Sequence, residues 1–235
     1  MLALAVLVVT FAACVQASVG FAYALLAAPL LQLVSPDLVP GPVLVSSFVL
    51  SALTAWRERT HIDRRGVGLA LVGRIPGAVL AGAAIGWLPA KVYDVSFGGL
   101  VLIAVLLSAW SRGVRPTPAA LLTAGFASGF MGTLTSVGGP PIAIVYQHAT
   151  GPALRATLNA YFALGSLISI VVLAAAGEFI AKHALMGLAL LPAVALGFWV
   201  SSVARNRIEG PRLRPAVLGL AALSSLAVVI KALIH

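Results

Sequence analysis

Two stretches of this chain are apolar for longer than one membrane helix needs, and each is interrupted near its middle. Apolar runs occupy about 2–34, 39–56, 66–87, 92–110, 116–146, 153–176, 184–203 and 215–234. Since a helix crosses the hydrocarbon in roughly 17 to 25 residues, six runs read as single spans. The first and fifth are too long. Run 2–34 is interrupted at Gln16-Ala17-Ser18-Val19-Gly20, and run 116–146 at Thr133-Leu134-Thr135-Ser136-Val137-Gly138-Gly139-Pro140-Pro141. A helix does not propagate through Gly-Gly-Pro-Pro, because proline lacks the amide hydrogen and its ring clashes with the preceding turn.

Composition sets the class. The chain is 61% hydrophobic and only 9% Asp, Glu, Lys or Arg, against about 25% charged in soluble domains. The reading is an all-α polytopic membrane protein with multiple crossings of the inner membrane. A net charge of +9 is grouped in short linkers, which suits contact with anionic lipid and excludes a nucleic-acid surface. Cys14 is the single cysteine, so neither a disulfide framework nor a thiolate metal site can form; it reads as a small buried hydrophobe. No Lys or Arg precedes the first apolar run, so that run is expected to be retained rather than cleaved as a signal peptide.

Each broken run is followed by three spans, which divides the chain into repeat one, 1–112, and repeat two, 116–235. Gly68-Leu69-Ala70-Leu71 before Pro76 has a weak match in Gly187-Leu188-Ala189-Leu190 before Pro192. Charge relates the halves. The linker Arg57 to Arg65 carries four Arg against Glu58 and Asp63, and Arg205 to Arg214 carries four against Glu209, with Arg112 and Arg115 forming a third basic group. The positive-inside rule puts all three in the cytoplasm, and puts the linkers around Asp37, Lys91 and Glu178 to Lys182 outside. Single crossings by every run would separate the first two groups. The conflict disappears if runs 1–34 and 116–150 each enter and return on one face as a broken helical hairpin. The fold expected is two inverted repeats, each a hairpin followed by three transmembrane helices (about 39–56, 66–87 and 92–110; then 153–176, 184–203 and 215–234). Both termini lie outside.

Alternating-access transporters place substrate where discontinuous helices of inverted repeats meet, and irregular backbone at that depth lines a cavity or is buried in protein. The candidate binding residues at the first break are Gln16, Ser18 and Gly20; at the second they are Thr135, Ser136, Gly138, Gly139 and Pro140. Helix starts after the breaks would present free amide hydrogens that favour an anion. Tyr23 and Tyr146 follow Ser18 and Pro141 by five residues each; either places a hydroxyl near the site or is an ordinary buried tyrosine. Arg74 lies about 12 Å into its span at 1.5 Å per residue. It serves anion binding or gating, or else snorkels to the interface or bonds neighbouring helices. Arg155 and Asn159, one turn apart, complete the set. No Asp or Glu is deep in a run, Asp94 being two residues beyond the start of its own, so a carboxylate proton relay or sodium site is hard to draw. No cofactor is implied, no nucleotide-binding loop is present, and the four histidines are dispersed at span ends, which argues against an enzyme.

At the two breaks the sequence resembles the TauE/SafE, or sulfite exporter, family. The resemblance is carried by Gln16-Ala17-Ser18-Val19-Gly20-Phe21 with Ala28-Pro29-Leu30-Leu31, and by Ser136-Val137-Gly138-Gly139-Pro140-Pro141 through Tyr146. Ser18-Val19 departs from the glycine-rich form of the first motif. The resemblance implies a secondary transporter that moves a small sulfur-containing anion (sulfite, thiosulfate or an organosulfonate such as sulfoacetate) across the inner membrane. Its partners would be that small organic or inorganic anion, membrane lipids and a coupling ion, proton or sodium. A channel-like anion facilitator and a noncatalytic scaffold subunit are the alternatives.

Overall fold

A computed structural model of the protein describes residues 2–109, 114–149, 151–208 and 213–234. The described residues form helices joined by short linkers: α1 Leu2–Val19, α2 Tyr23–Val34, α3 Gly41–Arg57, α4 Arg64–Ile85, α5 Ala90–Ala109, α6 Pro118–Thr135, α7 Gly139–Val145, α8 Gly151–Ala175, α9 Ala181–Ala189, α10 Leu191–Ile208 and α11 Leu213–Ile234. Among the described residues six segments are long and apolar enough to cross a membrane: α3 with its preceding turn, α4, α5, α8, α9 with α10, and α11. Their outward faces stay apolar, with Trp56, Leu106, Leu185 and Leu223 exposed, as lipid contact requires. The expectations for Arg112 and for the side chains of Arg205 to Arg214 fall outside the described residues.

Both long runs are broken, by three residues each. α1 continues to Val19, so Gln16 and Ser18 are helical and the first break is Gly20-Phe21-Ala22. The sequence reading placed it too early, because a polar residue in an apolar run need not unwind the helix when a neighbouring helix supplies a partner. The second break is Ser136-Val137-Gly138. Thr133 and Thr135 end α6, while Pro140 and Pro141 sit in the first turn of α7, where a missing amide hydrogen costs little. The turns are sharp: Gly20 has φ +101°, Ala22 φ 110° and Ser136 φ 65°. Run 184–203, read as one helix, is divided at Leu190 just before Pro192, whereas Pro76 is carried inside an unbroken α4.

Helix contacts repeat between the halves. α4 packs on α6 as α10 packs on α1; α2 packs on α11 as α7 packs on α5; α3 packs on α8, and α5 on α11. Exchanging the halves maps this set onto itself, consistent with an internal repeat. The α4–α6 seam is built on Gly73-x3-Gly77 and Gly125-x3-Gly129. A Cβ on any of the four would collide with the backbone of the opposite helix, so only glycine permits the approach. The same logic places Gly197 of α10 against Thr10 and Ala13 of α1. One buried apolar cluster gathers mainly from α1, α2, α5, α10 and α11, and a second from α4, α6, α7 and α8. The two breaks lie between them.

Candidate functional site

A cavity of about 40 Å3 lies between the two breaks, room for a few waters or one small oxyanion. Phe21 and Ala22 border it from the first break, and Gln16 from the last turn of α1. Ser136, Val137, Gly138, Gly139 and Pro140 border it from the second. Arg74 enters from α4, Ser47 from α3, and Phe162 and Ser166 from α8. Two phenylalanines thus face one arginine and several hydroxyls.

Arg74 is the centre of its electrostatics. It is the eleventh residue of α4, roughly 15 Å along the helix at 1.5 Å per residue, and only 3% exposed. Snorkelling is therefore excluded. Nη1 donates to Ser128 Oγ at 3.0 Å and more loosely to Ser128 O and Tyr161 Oη, and Nη2 donates to Ser169 Oγ at 3.0 Å. The guanidinium also stands 5.4 Å from the centroid of the Tyr161 ring. Every partner is neutral. Among the described residues Nε is buried without any partner, and the ion pairs Arg155–Glu58 and Lys182–Asp37 lie elsewhere. A buried cation held by dipoles alone keeps much of its desolvation cost, which a bound anion would offset.

Glycines make the space for this side chain. A Cβ on Gly165 of α8 would stand 2.6 Å from Arg74 Cζ and Nε, and one on Gly132 of α6 would stand 3.0 Å from Nη2. The guanidinium rests in a cradle that side chains would fill.

Gln16 both lines and braces the cavity, while the remaining residues singled out in the sequence support it without lining it. Gln16 Nε2 donates to Ser51 Oγ and to Asn159 Oδ1, both at 3.0 Å, and Gln16 Oε1 accepts from the Tyr23 amide at 3.0 Å. Asn159 Nδ2 in turn donates to Gly20 O at 2.8 Å. One glutamine and one asparagine therefore satisfy the backbone at the first break. The Tyr23 amide, expected to face an anion, is already taken, and two of the first three residues of α7 are prolines, so the free-amide argument is weaker than the sequence suggested. Ser18 Oγ is bonded to Cys14 O and lies 3.0 Å from Ser201 Oγ. Tyr23 Oη pairs with Ser46, and Tyr146 Oη donates to Asp63. Thr135 Oγ1 donates to Met131 O and accepts from the Val137 amide, closing the second break locally. Arg155 is held by Glu58 through Nε and Nη2 at 2.9–3.1 Å, beneath Gly20, whose absent Cβ would be 2.6 Å from Arg155 Cγ. Gly20 lies beside the cavity rather than in its lining.

Sequence reasoning missed Ser47, Ser166 and Phe162 in the lining and Ser128, Tyr161 and Ser169 around the guanidinium. The spacing of Gly125, Gly129 and Gly132 was the available signal, since small residues along one helix face mark a close approach. Among the described residues no group of three His, Cys, Asp or Glu side chains is arranged to hold a metal ion.

No curated protein and no solved structure matches the chain significantly. A family model described as Sulfite exporter TauE/SafE does match it, over residues 5–228. The chain therefore belongs to the TauE/SafE family as a multi-pass inner-membrane protein.

Proposed function

We infer that the protein is a secondary transporter for a small sulfur-containing anion (sulfite, thiosulfate or an organosulfonate such as sulfoacetate) and that the anion binds against Arg74 in the cavity between the two breaks. The observation that carries this reading is a buried guanidinium with neutral partners only and a free Nε, at a cavity reached by both breaks. Ser47 and Ser166 stand ready to donate to anion oxygens, Ser136 Oγ being already committed to Pro40 O, while Phe21 and Phe162 face a carbon substituent or exclude water. Small size and the planar donor fork favour a compact oxyanion.

Alternating access is supported by the exchange symmetry of the helix contacts, with repeats at 1–112 and 116–235. Hairpin entry and return is supported at the second break by two contacts. Pro116 and Pro118, where α6 starts, share a hollow with Asp63 and Arg65, and Tyr146, just past the end of α7, bonds to the same Asp63. The start of α6 and the end of α7 thus meet one linker, the basic one. At the other face Lys182 pairs with Asp37 at 2.6 Å and Lys91 donates to Leu233 O, grouping the linkers assigned to the outside.

Uptake by the purified protein in liposomes, against sulfite, thiosulfate, sulfoacetate, taurine, sulfate and lactate, tests the reading. Saturable uptake of the sulfur oxyanions with trans-stimulated exchange is the expected result. Linear flux without exchange would favour a channel, and no flux of any anion would reject transport by this chain alone.

A further inference from the structure

The sequence offers no deep carboxylate, yet the structure gives one shallow carboxylate a buried partner. Asp94 is the fifth residue of α5, and its Oδ1 accepts a hydrogen bond from Gln32 Nε2 at 2.9 Å. Gln32 is 4% exposed, and its Oε1 is a buried acceptor with no donor among the described residues. Asp94 has no cation within ion-pair distance among the described residues. The nearby charges do not supply one: Lys91 on the same helix donates to Leu233 O, Lys231 on α11 is exposed, and Glu178 in the linker before α9 is exposed and of like sign. α2, α6 and α7 add no charged side chain; the titratable groups are Tyr23 on α2, held by Ser46, and Tyr93 on α5 itself. Arg214 stands at the opposite end of α11.

A carboxylate next to an amide whose carbonyl lacks a donor is an incomplete pair. A proton on Asp94 completes it. The carboxyl O–H donates to the Gln32 carbonyl, after rotation of the amide where needed, and the other carboxyl oxygen accepts from the Gln32 amide. In that cyclic arrangement the orphaned acceptor and the unpaired charge are both removed. We propose that Asp94 and Gln32 form a proton-binding site that couples proton movement to the conformation of the two broken runs. This role rests on the transport reading above. The step is one proton transfer from hydronium to a carboxylate oxygen, giving water and a neutral carboxyl, reversed on release.

The position of the pair is what links it to the cavity. Gln32 belongs to α2, whose opposite end carries Ala24 and Leu25 in the cavity lining. Its neighbour on α5, Tyr93, donates through Oη to Leu134 O at 2.9 Å, two residues before the second break. Adjacent residues of α5 therefore hold one arm of the first broken run and the tip of the second. Adding a proton at Asp94 changes the hold on α2 alone.

Two measurements on the purified full chain test this. In infrared difference spectra taken across a pH titration, the wild type should show a carboxylic-acid carbonyl band that disappears in Asp94→Asn and shifts in Gln32→Leu. In liposomes with an imposed pH gradient, the wild type should accumulate sulfite or thiosulfate, while Asp94→Asn should lose accumulation and keep exchange at equal pH. Absence of an Asp94-dependent, Gln32-sensitive band would overturn the site, and undiminished gradient-driven accumulation in Asp94→Asn would overturn its coupling role. A wild type that shows the band but carries none of the anions would support the proton site and reject the transport reading instead. Asparagine matches aspartate in size, and gel-filtration elution of both variants checks that they remain folded.

Discussion

Ser128 accepts a hydrogen bond from the Arg74 guanidinium at 3.0 Å and donates its own hydrogen to the carbonyl oxygen of Gly138. One hydroxyl thus joins the buried cation to the second break, so the geometry of the break and the aim of the arginine are set together. Ser128→Ala removes both bonds and leaves the Gly138 carbonyl without its donor. Hydrogen bonds to charged groups contribute about 1.5 to 3 kcal/mol, so substrate affinity should fall at least about tenfold. Calorimetric titration on folded protein checks it.

Gly165→Ala should weaken binding while preserving the fold. The added methyl would stand 2.6 Å from Arg74 Cζ, and a guanidinium at the end of a flexible side chain moves more readily than a helix. Affinity is expected to drop about tenfold, one pair of charge-assisted bonds being lost, with thermal unfolding nearly unchanged. The two glycines at the second break should differ from each other. A Cβ on Gly138 meets Ser128 O at 2.6 Å, whereas one on Gly139 meets the Phe162 ring at 3.5 Å, ordinary contact. Gly138→Ala should therefore lower the unfolding temperature, and Gly139→Ala should not.

Breaking the Glu58–Arg155 pair should act mainly on stability. The two side chains are 10% and 7% exposed, and removing one partner of a buried ion pair weakens the hold on the other. Glu58→Gln is expected to destabilise by up to about 3 kcal/mol, read as a lower unfolding temperature in detergent. The double variant Glu58→Gln with Arg155→Gln should recover part of that loss.

The hairpin topology predicts which linkers label together. In a Cys14-free background, single cysteines in the linker after Trp56 and in the linker after Ile208 should both react from the cytoplasmic face, and cysteines near Asp37 and Lys91 from the other. Reaction of the first two from opposite faces would contradict hairpin entry.

The spans were legible because each helix faces either lipid or the packed interior of the bundle, so an entire span must be apolar and any interruption stands out. The breaks were legible for the same reason, but their limits were not. Gln16 and Thr135 remain helical because partners across the bundle or within the same turn satisfy them, which composition does not reveal. Arg74 was visible through its depth alone. The serines around it were not, since a serine in an apolar helix ordinarily bonds its own backbone, as Ser46 does to Pro42 O and Thr54 to Leu50 O. Nothing in their spacing separates those from Ser128 and Ser169. Glu58 read as one charge in a basic linker, and only folding brings it to Arg155, 97 positions away. Asp94 was discounted for its shallow position, while the feature that matters is the buried amide of Gln32 opposite it.

The central claim is that Arg74 holds a small sulfur-containing anion, and ligand titration of sulfite and thiosulfate against wild type, Arg74→Lys and Arg74→Gln tests it most directly. Lysine keeps the charge but loses the planar fork and the free Nε, so it should bind at least about tenfold more weakly, a loss of about 1.4 kcal/mol. Glutamine also removes the charge and should bind more weakly still. Wild-type affinity in both variants, with folding intact, would contradict the account.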